Sequence, residues 1–181
     1  MACIKVGLDE WVLIDRTAAA NAGVQLNLWT AGLSGCVGIG IIKPPLAFVA
    51  HVFSNLSAAT WAATYNASVA AAIANLLPFD NTTKIIAVVV GDDNPTPRSN
   101  IISGYLDGLI PPANMNLEAE VTVARTGFRM FNSVAGGDWQ YTTLSAGGHV
   151  AAWGASLNSA TGAAHCTNQG FLSPSGAVAE V

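Results

Sequence analysis

The chain has 181 residues, enough for one domain with a sizeable core. It is 51% hydrophobic and only 10% charged, with a net charge of −4, against about 25% charged residues in an average soluble domain. Seven basic residues scattered over that length give no cationic face for phosphate, which excludes nucleic acid as an expected partner.

Low charge does not imply a membrane span. Residues 17–42 carry no charge but contain Asn21, Gln25, Asn27, Thr30 and several glycines, so no continuous apolar run of about 18 residues exists there. The N-terminus has no basic segment followed by an apolar core and a cleavage site, so no classical signal peptide is expected. A cytoplasmic protein fits, as does one secreted by another route and acting in a target-cell cytosol. Residues 139–179 contain no Asp, Glu, Lys or Arg, a pattern that suits an oligomeric or partner-covered face. Cys3, Cys36 and Cys166 leave one cysteine over and match neither a disulfide framework nor a zinc motif, which favours reduced thiols.

In chain order, residues 3–8 and 11–15 read as short strands around the acidic turn Asp9-Glu10. Residues 23–29 alternate, with Val24, Leu26 and Leu28 on one face and Gln25 and Asn27 on the other, the period of a half-buried strand. Thr30 ends it, and Ala31-Gly32-Leu33-Ser34-Gly35 forms a bend. Residues 37–42 and 46–53 are strands joined by Lys43-Pro44-Pro45, a turn signal because proline presets φ and donates nothing to a ladder. A turn centred between Lys43 and Pro44 sets Cys36 directly opposite His51.

Residues 54–77 read as one helix, with Ser57 as N-cap and Pro78 closing it. Residues 84–90 form a buried strand, followed by a turn-rich loop from Gly91 to Pro97. A shorter helix over residues 99–110 stops at Pro111-Pro112. Residues 118–131 read as one strand, with further strands at 139–144 and 149–153. The fold class is α+β, a single domain over residues 1–181 with a mainly antiparallel sheet or sandwich core flanked by helices.

The chemistry points to Cys36 and His51. A nucleophilic cysteine needs a base within hydrogen-bonding reach and backbone N–H groups aimed at the developing oxyanion. A Gly-Cys step leaving a tight bend offers an exposed thiol and the amides of Ser34, Gly35 and Cys36 as the oxyanion hole, with His51 as the base. A buried structural cysteine beside a core histidine is the other reading of the same residues. His165-Cys166 is a weaker dyad, because neighbours on a strand point to opposite faces. His149 flanks a glycine turn, and Asp92-Asp93 has no ligand spacing to suggest a metal. Gly35, Gly38 and Gly40 precede no helix that could receive a phosphate, so tight strand packing is their expected role.

Thr30-Ala31-Gly32-Leu33-Ser34-Gly35-Cys36-Val37 resembles the nucleophile motif of the Cys–His glutamine deamidases. That superfamily includes the chemoreceptor deamidases, the catalytic domain of cytotoxic necrotizing factor and the Burkholderia lethal factor. Leu33-Ser34-Gly35-Cys36 is similar to the toxin members, and Thr30-x-Gly32-Leu33 to the chemoreceptor members. The specific likeness covers residues 24–53, and the elements from Gly91 to Glu118 loosely follow the chemoreceptor deamidase order. The resemblance implies Cys36 as nucleophile, His51 as base and Thr30, six residues before the cysteine, as the group that orients the imidazole. It implies hydrolysis of a glutamine side-chain amide on a protein substrate, in a bacterial toxin, effector or chemoreceptor-deamidase setting, with no cofactor and no metal. Transglutamination is the variant expected when an amine replaces water. A cysteine peptidase fits less well, since papain-like enzymes carry the cysteine on a helix far from the histidine. A non-catalytic interaction module is the remaining alternative.

Overall fold

A computed structural model describes residues 2–53, 58–91, 96–114, 117, 119–132, 134–135, 137–145 and 168–172. The elements are β1 (Ala2–Lys5), β2 (Glu10–Asp15), α1 (Arg16–Asn21), β3 (Leu26–Ala31), β4 (Val37–Lys43) and β5 (Leu46–Val52). They continue as α2 (Ala58–Thr60), α3 (Asn66–Ala72), β6 (Ile85–Val90), α4 (Thr96–Asp107), β7 (Glu120–Thr122), β8 (Arg125–Asn132), β9 (Trp139–Ser145) and β10 (Asn168–Phe171).

The strands form two sheets, a six-stranded one in the order β10-β2-β5-β4-β6-β7 and a four-stranded one in the order β1-β3-β8-β9. Pairing is antiparallel except for β1 with β3 and β6 with β7. The α+β fold and the mainly antiparallel core expected from sequence are both present.

Period-two alternation explains the layering. On β4 the residues Val37, Ile39 and Ile41 join Phe48, Val88 and Val90 in a core with Trp61, Val69, Ile73, Ile102 and Leu106 from the helices. The alternate residues of the same strands, among them Ile42, Val49 and Val89, meet Leu26, Leu28, Phe128 and Met130 of the four-stranded sheet. The six-stranded sheet is thus the middle of three layers, buried on both faces, which is why β4, β5 and β6 read as continuous apolar runs. Gly40 fits this packing: a Cβ built there would stand 2.3 Å from the tip of the Phe128 ring.

Several elements differ from the sequence reading. The long helix is interrupted: a π turn over Trp61–Tyr65 separates α2 from α3, and a 3-10 turn over Ala74–Leu76 follows. The π turn stacks Trp61 on Tyr65, with ring centroids 6.0 Å apart. The single strand expected over residues 118–131 is two strands in different sheets, β7 in the larger and β8 in the smaller. The chain changes sheet at Ala124, whose φ is +55°. Helix α1 and strand β10 had no counterpart in the sequence reading. The expected N-cap Ser57, the strand at 149–153, His149, His165, Cys166 and the Asp92-Asp93 pair lie outside the described residues. No helix among the described residues is long and apolar enough to cross a membrane.

Candidate functional site

The β4–β5 hairpin carries the two residues singled out by the motif, in a register two residues away from the expected one. Lys43 opposes Leu46, Val37 opposes Val52, and Gly38, not Cys36, opposes His51. The turn consists of Pro44 and Pro45 alone. Lys43 keeps its place in the ladder, where its ammonium reaches the carbonyls of Leu76 and Pro78 and the Asp80 carboxylate. An even shift preserves the face. Cys36 therefore lies diagonal to His51 on the same side of the sheet, the side turned to β3 and β8. Diagonal neighbours stand about 7–8 Å apart between Cα atoms, nearer at Cβ.

Thr30 comes from the opposing sheet. The alternation that buries Leu26 and Leu28 against the six-stranded sheet turns Thr30 the same way. Its Oγ1 lies 2.7 Å from Nδ1 of His51. The far ring nitrogen, Nε2, is buried and has no hydrogen-bond partner among the described residues. Burial, reinforced by the positive charge of Lys5, lowers the His51 pKa from 6.5 to about 4, so the imidazole is neutral at pH 7. With Nδ1–H donating to Thr30, the Nε2 lone pair is left as the open acceptor.

The bend that delivers Cys36 is held from both sides. Gly32, at φ +75°, and Leu33 donate their N–H groups to the carbonyl of Thr126 at the start of β8. The Cys36 N–H donates to the Leu33 carbonyl at 2.6 Å, closing the turn, and the Cys36 carbonyl accepts from Gly91 N–H at 2.9 Å. Gly91, at the end of β6, passes so close that a Cβ on it would stand 1.6 Å from the Leu33 oxygen. Of the three amides expected to face an oxyanion, that of Cys36 is thus engaged within the turn; Ser34 is exposed and Gly35 half-buried.

The site is closed at rest: Cys36 is 7% exposed, His51 3% and Thr30 0%. Cys3 and Cys36, the cysteines among the described residues, form no disulfide. No group of three or more metal-ligating side chains occurs among the described residues.

Asp9 borders the site through the His51 backbone, and Tyr65 approaches Asp9 from the helix layer; the sequence reading singled out neither. Asp9, in the β1–β2 turn, is 1% exposed at φ +62°, and its N–H donates to the His51 carbonyl at 2.8 Å. Tyr65, the last residue of the π turn, donates its hydroxyl to the Asp9 carboxylate. Burial first, then the Asp9 charge and that hydrogen bond, with a contribution from Cys36, push the Tyr65 pKa upward. The Asp9-Glu10 pair reads as an acidic turn, and no local pattern distinguishes a buried acid from an exposed one there. Only the topology brings it to His51.

The chain matches no protein-family model and no curated protein.

Proposed function

We propose that the protein is a cysteine amidohydrolase that converts a glutamine side chain of a protein substrate to glutamate. The observation that carries this reading is the 2.7 Å contact of Thr30 with His51 Nδ1, which leaves a buried Nε2 without a partner on the face that Cys36 shares. The Leu33-Ser34-Gly35-Cys36 bend and its likeness to the glutamine deamidases support it.

In the proposed sequence the Cys36 proton passes to His51 Nε2 as Sγ bonds to the carboxamide carbon. Backbone amides of the bend, those of Ser34, Gly35 and Cys36, are the donors for the resulting oxyanion. The C–N bond then breaks and ammonia leaves with the proton returned by Nε2. Water next attacks the thioester, its proton going to Nε2, and glutamate and the thiol are regenerated. Because the imidazole is neutral at rest, the pair stands as thiol and free base, and the thiolate is made only together with attack. The Thr30 hydroxyl stabilises the ring through each proton transfer without leaving Nδ1. An amine arriving in place of water gives transglutamination from the same thioester.

The test is ammonia release from glutamine-bearing proteins, comparing the native chain with Cys36→Ala. The proposal requires release by the native chain and none by the variant; release that survives the substitution sinks it. A non-catalytic core cluster is the second reading, favoured by the burial of Cys36, His51 and Thr30. It requires that neither protein release ammonia and that Cys36→Ala lower stability alone.

A further inference from the structure

Two glycines of β4 face the four-stranded sheet, and their surroundings differ. At Gly40 a Cβ would stand 2.3 Å from the Phe128 ring and 3.1 Å from the Met130 sulfur, so close packing accounts for the glycine. At Gly38 a Cβ would meet Leu33 Cδ1 at 3.5 Å, Val89 Cβ at 3.7 Å and Leu33 Cδ2 at 3.8 Å, all ordinary van der Waals distances. Its φ is not in the left-handed region either, unlike those of Gly23 and Gly32. Neither contact nor backbone conformation demands glycine at 38, yet glycine inside a strand is less stable than alanine.

The neighbours of Gly38 supply a reason. It directly opposes His51 on β5 and Val89 on β6, and it lies two residues from Cys36 on the same face. The missing side chain leaves a slot in the row, walled by Val89 on one side and on the other by His51, whose buried Nε2 has no partner among the described residues. Cys36 stands at one end of the slot, and Gly40, filled by Phe128, lies beyond the other. Both methyls of Leu33 cover it. Leu33 is fully buried, and it comes from the bend that carries the nucleophile, whereas the group that fills the space over Gly40 comes from the opposing sheet.

We propose that the slot over Gly38 is the subsite for the substrate carboxamide, with Gly38 as its floor and the Leu33 side chain as a resident cover that the substrate displaces. Its width selects an unbranched side chain ending in a flat primary amide, and a branched or ring-bearing group next to the reacting carbon does not fit. The identity of the occupant rests on the deamidase reading; the slot itself is read from the packing alone.

The experiment is Gly38→Ala, read by urea unfolding, by ammonia release from glutamine-bearing proteins and by site-resolved iodoacetamide labelling. Iodoacetamide is itself a small primary carboxamide and needs room beside the sulfur. Cys3, 6% exposed against 7% for Cys36, reports general loosening, so labelling is read as the ratio of the Cys36 rate to the Cys3 rate. The expected urea midpoint equals or exceeds that of the native chain, because alanine is unstrained there and fits. Ammonia release and the labelling ratio should nevertheless each fall about tenfold or more, since one added methyl overpacks the slot once it is occupied. Leu33→Ala should move the labelling ratio upward, and adding Gly38→Ala to it should take that gain back. A Gly38→Ala protein that fails to fold, or unfolds at lower urea, shows that the glycine serves the fold and overturns the proposal. So does a stable variant that keeps the native labelling ratio. A stable variant that still releases ammonia at the native rate, from a substrate the native chain deamidates, overturns the subsite and leaves the deamidase standing. If the native chain deamidates nothing, the deamidase reading falls and the labelling ratio alone decides the slot.

Discussion

Acid should destabilise this protein through His51, in a pH window that the structure defines. In the unfolded chain the imidazole titrates near 6.5; folded, burial and the Lys5 charge hold it at about 4. A folded pKa below the unfolded one means that the unfolded state takes up the proton first as pH falls. The His51 contribution is therefore constant above pH 6.5, falls between 6.5 and about 4, and is gone below. The loss amounts to about 2 kcal/mol by about pH 5 and roughly 3 kcal/mol once the folded imidazole also titrates. With a urea m-value of about 2 kcal/mol per molar, acidification from about pH 7 to about pH 5 should lower the midpoint by about 1 M through this group. Asp80, held near 2 chiefly by hydrogen bonds to Thr82, titrates below that window. The control is His51→Asn, whose side-chain amide can donate to Thr30 Oγ1 but carries no titrating nitrogen. Urea unfolding of both proteins at the two pH values isolates His51 from His149 and His165. If His51→Asn loses as much stability on acidification as the native chain, His51 is not buried neutral, and the free-base role of Nε2 fails with it.

Three other outcomes follow from the same geometry. Thr30→Val keeps the shape of the side chain but leaves Nδ1–H buried without an acceptor; it should cost about 1–3 kcal/mol in urea unfolding and slow, without abolishing, any Cys36-dependent ammonia release. Gly91→Ala drives a Cβ into the Leu33 carbonyl, a backbone atom that cannot step aside, so its destabilisation should exceed the roughly 1–3 kcal/mol usual for overpacking. Gly40→Ala meets only side-chain atoms, the edge of the Phe128 ring and the Met130 sulfur, and should stay within that range, so equal thermal or urea stabilities for the two glycine variants would contradict the clamp on the bend.

Much of this site is written in local pattern. Alternation places Leu26, Leu28 and Thr30 on one face, the proline pair marks the hairpin, and a resemblance in the spacing of Thr30, Cys36 and His51 implied that they meet. The Thr30–His51 contact was therefore legible before the fold was. The register was not, because the choice between turns centred on Lys43-Pro44 and on Pro44-Pro45 depends on where the Lys43 ammonium finds its carbonyls, a tertiary contact with the Leu76–Asp80 segment. The π turn was hidden for a similar reason: alanine-rich sequence supports any helical winding, and the stacking of Trp61 on Tyr65 accompanies this one. The jump of the chain from β7 to β8 turns on one positive φ at Ala124, a residue with no preference for it. Asp9 reads from sequence only as part of an acidic turn; its burial comes with the His51 and Leu172 backbones that bond to it, which no local pattern announces.

The central claim is that Cys36 attacks a carboxamide, and site-mapped conversion of glutamine to glutamate tests it most directly. Proteins from a cell lysate, treated in parallel with the native chain and with Cys36→Ala, are digested and compared by tandem mass spectrometry for glutamine positions that have become glutamate. The account predicts conversion confined to one or a few positions with the native chain and none above background with the variant. Conversion at the same positions by both proteins would contradict it.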